Sequence, residues 1–109
     1  GVDLWAAEIV LDLRKRNKEI RLVCAIPHDG FEARWSPSWQ ELYRYVLAEA
    51  DLTRVISKGY HTGVYQVRNE WMVNHSTRVI AVFNGQPSGT KNTIDYALSQ
   101  GVPVRIIEG

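Results

Sequence analysis

Apolar positions along this chain alternate between a helical period and short continuous runs. Over residues 4–16, Leu4, Ala7, Ile9, Leu11 and Leu13 leave a broad apolar stripe among charges, which predicts a helix. Asp3 stands in front of it as its expected N-cap. Residues 19–27 carry Ile20, Leu22, Val23, Ala25 and Ile26 and end at Pro27. So unbroken a run predicts a strand covered on both faces, as in parallel sheets. A loop follows over 28–38, with Gly30, Pro37 and the exposed-looking aromatics Phe31 and Trp35. Ser36-Pro37 then opens a second helix, with serine as N-cap and proline at the first helical position. It runs to about residue 50, with Trp39, Leu42, Tyr43, Val46 and Leu47 on one side.

The second half repeats the pattern. A short strand over 53–57 leads through the loop 58–63 to a helix over 64–75, and residues 78–83 form a strongly apolar strand. The loop 84–89 feeds a helix that starts near Thr90 and stops at Gly101, and residues 102–107 form the last strand. Strands alternating with helices of ~10–15 residues predict an α/β domain with a mainly parallel sheet of about four strands and helices on both faces. No repeat, linker or low-complexity tract interrupts the 109 residues, so one domain over 1–109 is expected.

Bulk properties narrow the partners. A net charge of +1 argues against a nucleic-acid or membrane surface, and Arg14-Lys15-Arg16 sits where the helix dipole favours cations, which predicts a solvated helix end. No segment approaches ~18 consecutive apolar residues, so no membrane span is expected. Nothing at the start resembles a signal peptide, and the single cysteine, Cys24, has no disulfide partner within the chain. A cytoplasmic setting is the expectation. Burial in a strand would raise the Cys24 thiol pKa and blunt its reactivity.

In parallel α/β sheets, ligands bind beyond the carboxyl ends of strands. The richest loop there is Asn84-Gly85-Gln86-Pro87-Ser88-Gly89-Thr90-Lys91. Its glycines let amides approach a phosphate, the following helix start favours an anion, and Ser88, Thr90 and Lys91 add donors. A turn with an N-cap would explain the same residues without a ligand. The loop is neither a Walker loop nor a G-x-G-x-x-G fingerprint. A second candidate is Arg68-Asn69-Glu70-Trp71-Met72, where Arg68 and Met72 share a helix face and arginine suits phosphate. Pairing of Arg68 with Glu70 or Glu49 is the bland alternative. Trp35, Trp39, Tyr60 and Tyr65 flank the loops, and Trp35, Tyr60 and Tyr65 are the candidates for stacking on a base. His28, His61 and His75 lack metal-ligand spacing, so no metal site is expected. No cofactor motif is present, and no G-x-S-x-G supports a serine hydrolase.

Taken together, Gly1-Val2-Asp3-Leu4-Trp5-Ala6-Ala7-Glu8, Cys24-Ala25-Ile26-Pro27, Tyr65-Gln66-Val67-Arg68-Asn69-Glu70-Trp71-Met72-Val73 and Ser88-Gly89-Thr90-Lys91-Asn92-Thr93 resemble the DUF1273 (YpsA-like) family of the SLOG superfamily. That superfamily includes the LOG phosphoribohydrolases and the DNA-processing protein DprA. The resemblance implies a Rossmann-like, three-layer α/β/α fold binding a nucleotide-derived ligand, its phosphate held jointly by the Arg68 helix and the Ser88–Lys91 loop. Two departures stand out. The family's first strand, with its glycine- and arginine-bearing loop, is missing; by the family's arrangement it would lie between the 20–26 and 79–83 strands. The chain is therefore either an N-terminally truncated fragment or a shortened variant, and two buried-type edges left open predict a homo-oligomer or a re-paired sheet. LOG hydrolases also carry a glutamate just after Gly-Thr, where this chain has Lys91, Asn92 and Thr93 and no carboxylate before Asp95.

The leading expectation is non-catalytic binding of a nucleotide or ADP-ribose-like signal, as a sensor or a phage-type signal sponge. One alternative is a LOG-type N-glycosidic or phosphoribosyl hydrolase, with Asp95, Glu70, Asp3 or Glu8 standing in for the glutamate. Another is a protein-interaction domain with a degraded pocket.

Overall fold

Eight elements alternate along the chain in the computed structural model, which describes residues 2–109: α1 (Val2–Arg16), β1 (Val23–His28), α2 (Pro37–Glu49), β2 (Leu52–Ser57), α3 (Val64–Asn74), β3 (Val79–Phe83), α4 (Gly89–Ser99) and β4 (Val104–Glu108). The class is α/β, with parallel strand pairs, as the pattern predicts. The chain divides into two compact units, residues 1–59 and 60–109.

In the first unit, β1 and β2 form a parallel pair in which Val23 faces Leu52 and Ile26 faces Val55. Both helices cover one face of it: Leu4, Ala7 and Leu11 of α1 and Tyr43 and Val46 of α2 pack with Leu22 and Ile26. The α1 stripe is narrower than expected. Spacing of 4, 7 and 11 follows one helix face, whereas Ile9 (60% exposed) and Leu13 (43%) lie round the helix and stay in water. Asp3 falls within the first turn of α1 and is not its cap, a place where the helix dipole still favours it.

The β1 strand begins four residues later than the apolar run predicts. Asn17 closes a turn there, accepting the Glu19 amide on its Oδ1 (3.0 Å) and the Ile20 amide on its backbone carbonyl (3.1 Å). Neither face of β1 is wholly covered within this unit, and Val23 is half exposed. Pro27 sits in β1 without an N–H to donate. Such a residue is tolerated because, among the described residues, β1 pairs on one side only, with β2.

The second unit pairs β3 with β4, also in parallel, Ala81 facing Ile106. Helix α4 packs on this sheet and α3 packs against α4, burying Val64, Val73, Ile94 and Ala97. Among the described residues β3 pairs only with β4. The four strands thus form two two-stranded sheets. Among the described residues β1 and β3 each carry a single ladder.

Arg14 is more than a solvated helix end. Its guanidinium donates to Asp51 Oδ2 (2.8 Å) and to the Glu49 carbonyl (2.9 Å), while the same carboxylate oxygen accepts the Leu22 amide at 2.7 Å. Asp51 therefore ties the end of α1 to the entrances of both strands. The Leu22 amide, then Arg14 and Arg21, hold its carboxyl below the ordinary value. A carboxyl whose folded pKa is depressed contributes stability above its unfolded pKa and loses it as pH falls through the folded one. Asp51→Asn should accordingly flatten the acid limb of the stability profile, below about pH 4, relative to the parent. Urea denaturation at several pH values reads this out, and identical acid limbs would refute it.

Candidate functional site

The loop that leaves β3 owes its shape to a few local hydrogen bonds. Asn84 Oδ1 accepts the Gln86 amide (3.0 Å), an Asx-type turn, and Gly85 follows at φ 88°, in the left-handed region that glycine enters without strain. Ser88 then caps α4: its extended backbone places Oγ to accept the Lys91 amide at 3.2 Å, while its carbonyl accepts the Asn92 amide at 3.1 Å. The amides of Gly89 and Thr90, which point out of the first turn, have no hydrogen-bond partner among the described residues. Every residue from Asn84 to Lys91 is exposed, so these donors face solvent. At the other end of α4, Gly101 adopts φ 73° and its amide reaches the Leu98 carbonyl, the stop that the sequence predicts.

Helix α3 brings the second candidate group. Short links place the ends of α3 and α4 at the amino end of the β3–β4 sheet, so the two helices run in the same direction. Tyr96 of α4 donates its hydroxyl to Asn74 Oδ1 of α3 at 2.7 Å. Arg68 lies six residues before Asn74, and Thr90 six before Tyr96. At ~1.5 Å per residue both stand about 9 Å up their helices from that bond. Arg68 and the first turn of α4 are thus level along the helix pair. Arg68 Nε donates to Asn69 Oδ1 (2.7 Å), which joins the two polar members of the motif. Met72, the third, is half exposed.

Other candidates are placed differently. Lys91 Nζ pairs with Asp95 at 2.8 Å, one turn along α4. Trp35 is not free in its loop: turns at Gly30–Ala33 and Glu32–Trp35 fold it back, and its ring meets Phe31 at 4.9 Å and Tyr43 at 5.1 Å, against the core of the first unit. The apparent exposure of Phe31 and Trp35 was a property of the loop's sequence, not of its folded path. Tyr60 and Tyr65 tilt against each other with ring centroids 6.1 Å apart, and Tyr60 is 66% exposed. Cys24 is half-buried, and burial pushes its thiol up from the ordinary value. No three His, Cys, Asp or Glu side chains gather to hold a metal among the described residues, and no helix there is long and apolar enough to cross a membrane.

The comparisons agree with the motif reading. Residues 1–103 match the profile of YpsA, described as the YspA SLOG family. The chain belongs to the YpsA SLOG family. It is 30% identical over 88 residues to a UPF0398 protein of Staphylococcus epidermidis, covering 79% of this chain and 47% of the relative. It is 31% identical over 100 residues to a UPF0398 protein of Lactiplantibacillus plantarum, covering 90% and 52%. A third relative, the uncharacterized SPbeta prophage-derived protein YoqJ of Bacillus subtilis, is 31% identical over 109 residues, covering 89% of this chain and 64% of YoqJ. The chain spans about half the length of the curated UPF0398 relatives it matches. The alternating α/β order seen here is consistent with the Rossmann-like fold of SLOG members.

The 28–38 loop, one of the strand-to-helix loops where a ligand is expected, borders a pocket lined by Asp29, Glu32 and Arg44 among others, residues that sequence reasoning did not single out. The position of its loop after β1 was the available signal, but glycine-poor loops gave no motif to read.

The two serines named as caps differ in what they do. Ser36 precedes α2 but its hydroxyl meets only the Ser38 hydroxyl at 3.4 Å and caps no backbone amide, whereas Ser88 accepts the Lys91 amide of α4. Ser88→Ala should cost about 1 kcal/mol, and Ser36→Ala a few tenths. Amide hydrogen exchange at Lys91 and urea denaturation measure the difference. Equal costs would show that the Ser88 cap contributes nothing.

Proposed function

We propose that this SLOG protein binds a nucleotide-derived phosphate ligand, a nucleotide or an ADP-ribose-like signal, at the first turn of α4, and does not turn it over. The observation that carries this reading is the pair of amides at Gly89 and Thr90, without a partner among the described residues and level along the helix pair with Arg68 of the neighbouring helix. Amides at a helix start hold an anion through both hydrogen bonds and the helix dipole. Arginine adds a fork of donors matched to phosphate oxygens. Ser88 is taken up by capping, so it shapes the loop and the backbone receives the ligand. Asn69 steadies Arg68, and the Tyr60–Tyr65 pair offers ring faces in the same unit.

Binding without hydrolysis is favoured by the state of Asp95. It is the first carboxylate after Gly89-Thr90, and it is paired with Lys91. An acid group for cleaving a glycosidic bond must be within reach of the leaving oxygen and hold a proton there. Asp95 lies instead one turn past Lys91 on α4, on an exposed face and 2.8 Å from the Lys91 ammonium. The reading includes assembly as a homo-oligomer, because β1 and β3 each keep an unpaired edge among the described residues. The unpaired Cys24 thiol fits a cytoplasmic setting.

A thermal-shift titration with ADP-ribose, AMP and ATP tests the reading. A ligand at about 100 times its Kd should stabilise the protein by roughly 2.7 kcal/mol, a rise of several degrees in Tm. Arg68→Ala should weaken binding ten- to a hundredfold, the loss of about 1.5–3 kcal/mol for a charge-assisted contact. Mass spectrometry of the same mixture should return the ligand intact. Equal binding by Arg68→Ala would refute the site, and release of a free base would move the protein to the hydrolases.

A further inference from the structure

The first unit contains a pocket that the proposed phosphate site does not use. It has a volume of about 540 Å³ and lies where β1 ends, bounded by the turn after that strand, by α2 and by β2. Small-molecule sites have volumes of this order, and the carboxyl end of a strand is where parallel sheets receive ligands. Ile26, Leu47 and Val55 give it an apolar floor, and Asp29, Glu32 and Arg44 stand around it. These charges are of both signs, yet none of the three side chains makes an ion pair or a hydrogen bond among the described residues.

The pocket has a fixed wall. Gln40 Nε2 donates to the backbone carbonyls of Glu32 (3.0 Å) and Ala33 (3.3 Å), which holds the turn that carries Glu32 against α2. Tyr43 also lines the cavity, its ring locked by Phe31 and Trp35. Burial, then the charges of Glu32, Cys24 and Asp29, pushes its phenol up to about 12. It therefore stays protonated at neutral pH, and the two carboxylates stand near enough to act on it. Positive charge is favoured on that side. With two carboxylates against one guanidinium, a phosphate dianion is repelled.

We propose that this pocket binds a small zwitterion with an apolar body, of the free amino-acid class. Its ammonium meets Asp29 and Glu32, its carboxylate meets Arg44, and its side chain covers Ile26, Leu47 and Val55. Each charge in the rim then gains an opposite partner that the folded chain leaves unsupplied, and the floor is removed from water.

Methyl and amide NMR of the protein with leucine, leucinamide and N-acetylleucine tests this. Leucine should shift the methyl signals of Ile26, Leu47 and Val55 saturably, and each blocked form should bind at least tenfold more weakly. Arg44→Ala should erase the preference for leucine over leucinamide. Glu32→Gln combined with Asp29→Asn should erase the preference for leucine over N-acetylleucine. All three positions are at or near the surface, and the dispersion of the same spectra shows that the variants are folded. No saturable shift with leucine would overturn the proposal. So would equal binding of all three compounds, or preferences that survive the substitutions.

Discussion

A helix cannot satisfy the N–H groups of its own first turn, and the candidate site of this protein is built around that constraint. At the start of α4, the Ser88 hydroxyl takes one of these donors, and two more, on Gly89 and Thr90, are left to the solvent. Everything upstream arranges this exposure. The β3–β4 ladder anchors the loop, the Asn84 turn and the left-handed Gly85 reverse it, and the extended Ser88 starts the helix cleanly. At Gly89 a side chain would meet open space, so the conformation does not demand glycine there. Its absence of a side chain leaves the backbone open to close approach.

The first unit depends on a different interaction, the carboxylate of Asp51. It accepts from Leu22 and Arg14 on the same oxygen, and so joins α1, the entrance of β1 and the start of β2. Beside it, the Leu22 carbonyl accepts the amides of Asp51 and Leu52, and Arg14 donates to the Glu49 carbonyl. This is the amino end of the strands; the 540 Å³ pocket reaches from Thr53 and Val55 on β2 to the turn after β1.

Much of this was legible in the chain itself. The alternation of helical stripes and apolar runs named all eight elements in order, because both periods are local. Gly85 and Ser88-Gly89-Thr90 after an apolar strand marked the α4 loop for the same reason. What stayed hidden was non-local. Arg14 reads as one of three cations at a helix end until Asp51, 37 residues on, is placed beside it. Residues 19–22 read as strand until the Asn17 turn is seen to occupy them. Trp35 reads as a loop aromatic until the turns that fold it onto Tyr43 are known. The level placement of Arg68 and Thr90 rests on the Tyr96–Asn74 bond, which no pattern of residue types predicts. The pocket charges Asp29, Glu32 and Arg44 come from a loop and a helix 12 to 15 residues apart and form no motif.

The central claim is that backbone donors at the start of α4 receive a phosphate. The most direct measurement follows the amide resonances of Gly89 and Thr90 while ADP-ribose is titrated into the labelled protein. Hydrogen bonding to a phosphate should move both proton shifts downfield saturably, with Arg68 Nε responding over the same concentration range. If ADP-ribose binds and these two amides do not move, the phosphate sits elsewhere and the account of the site is wrong.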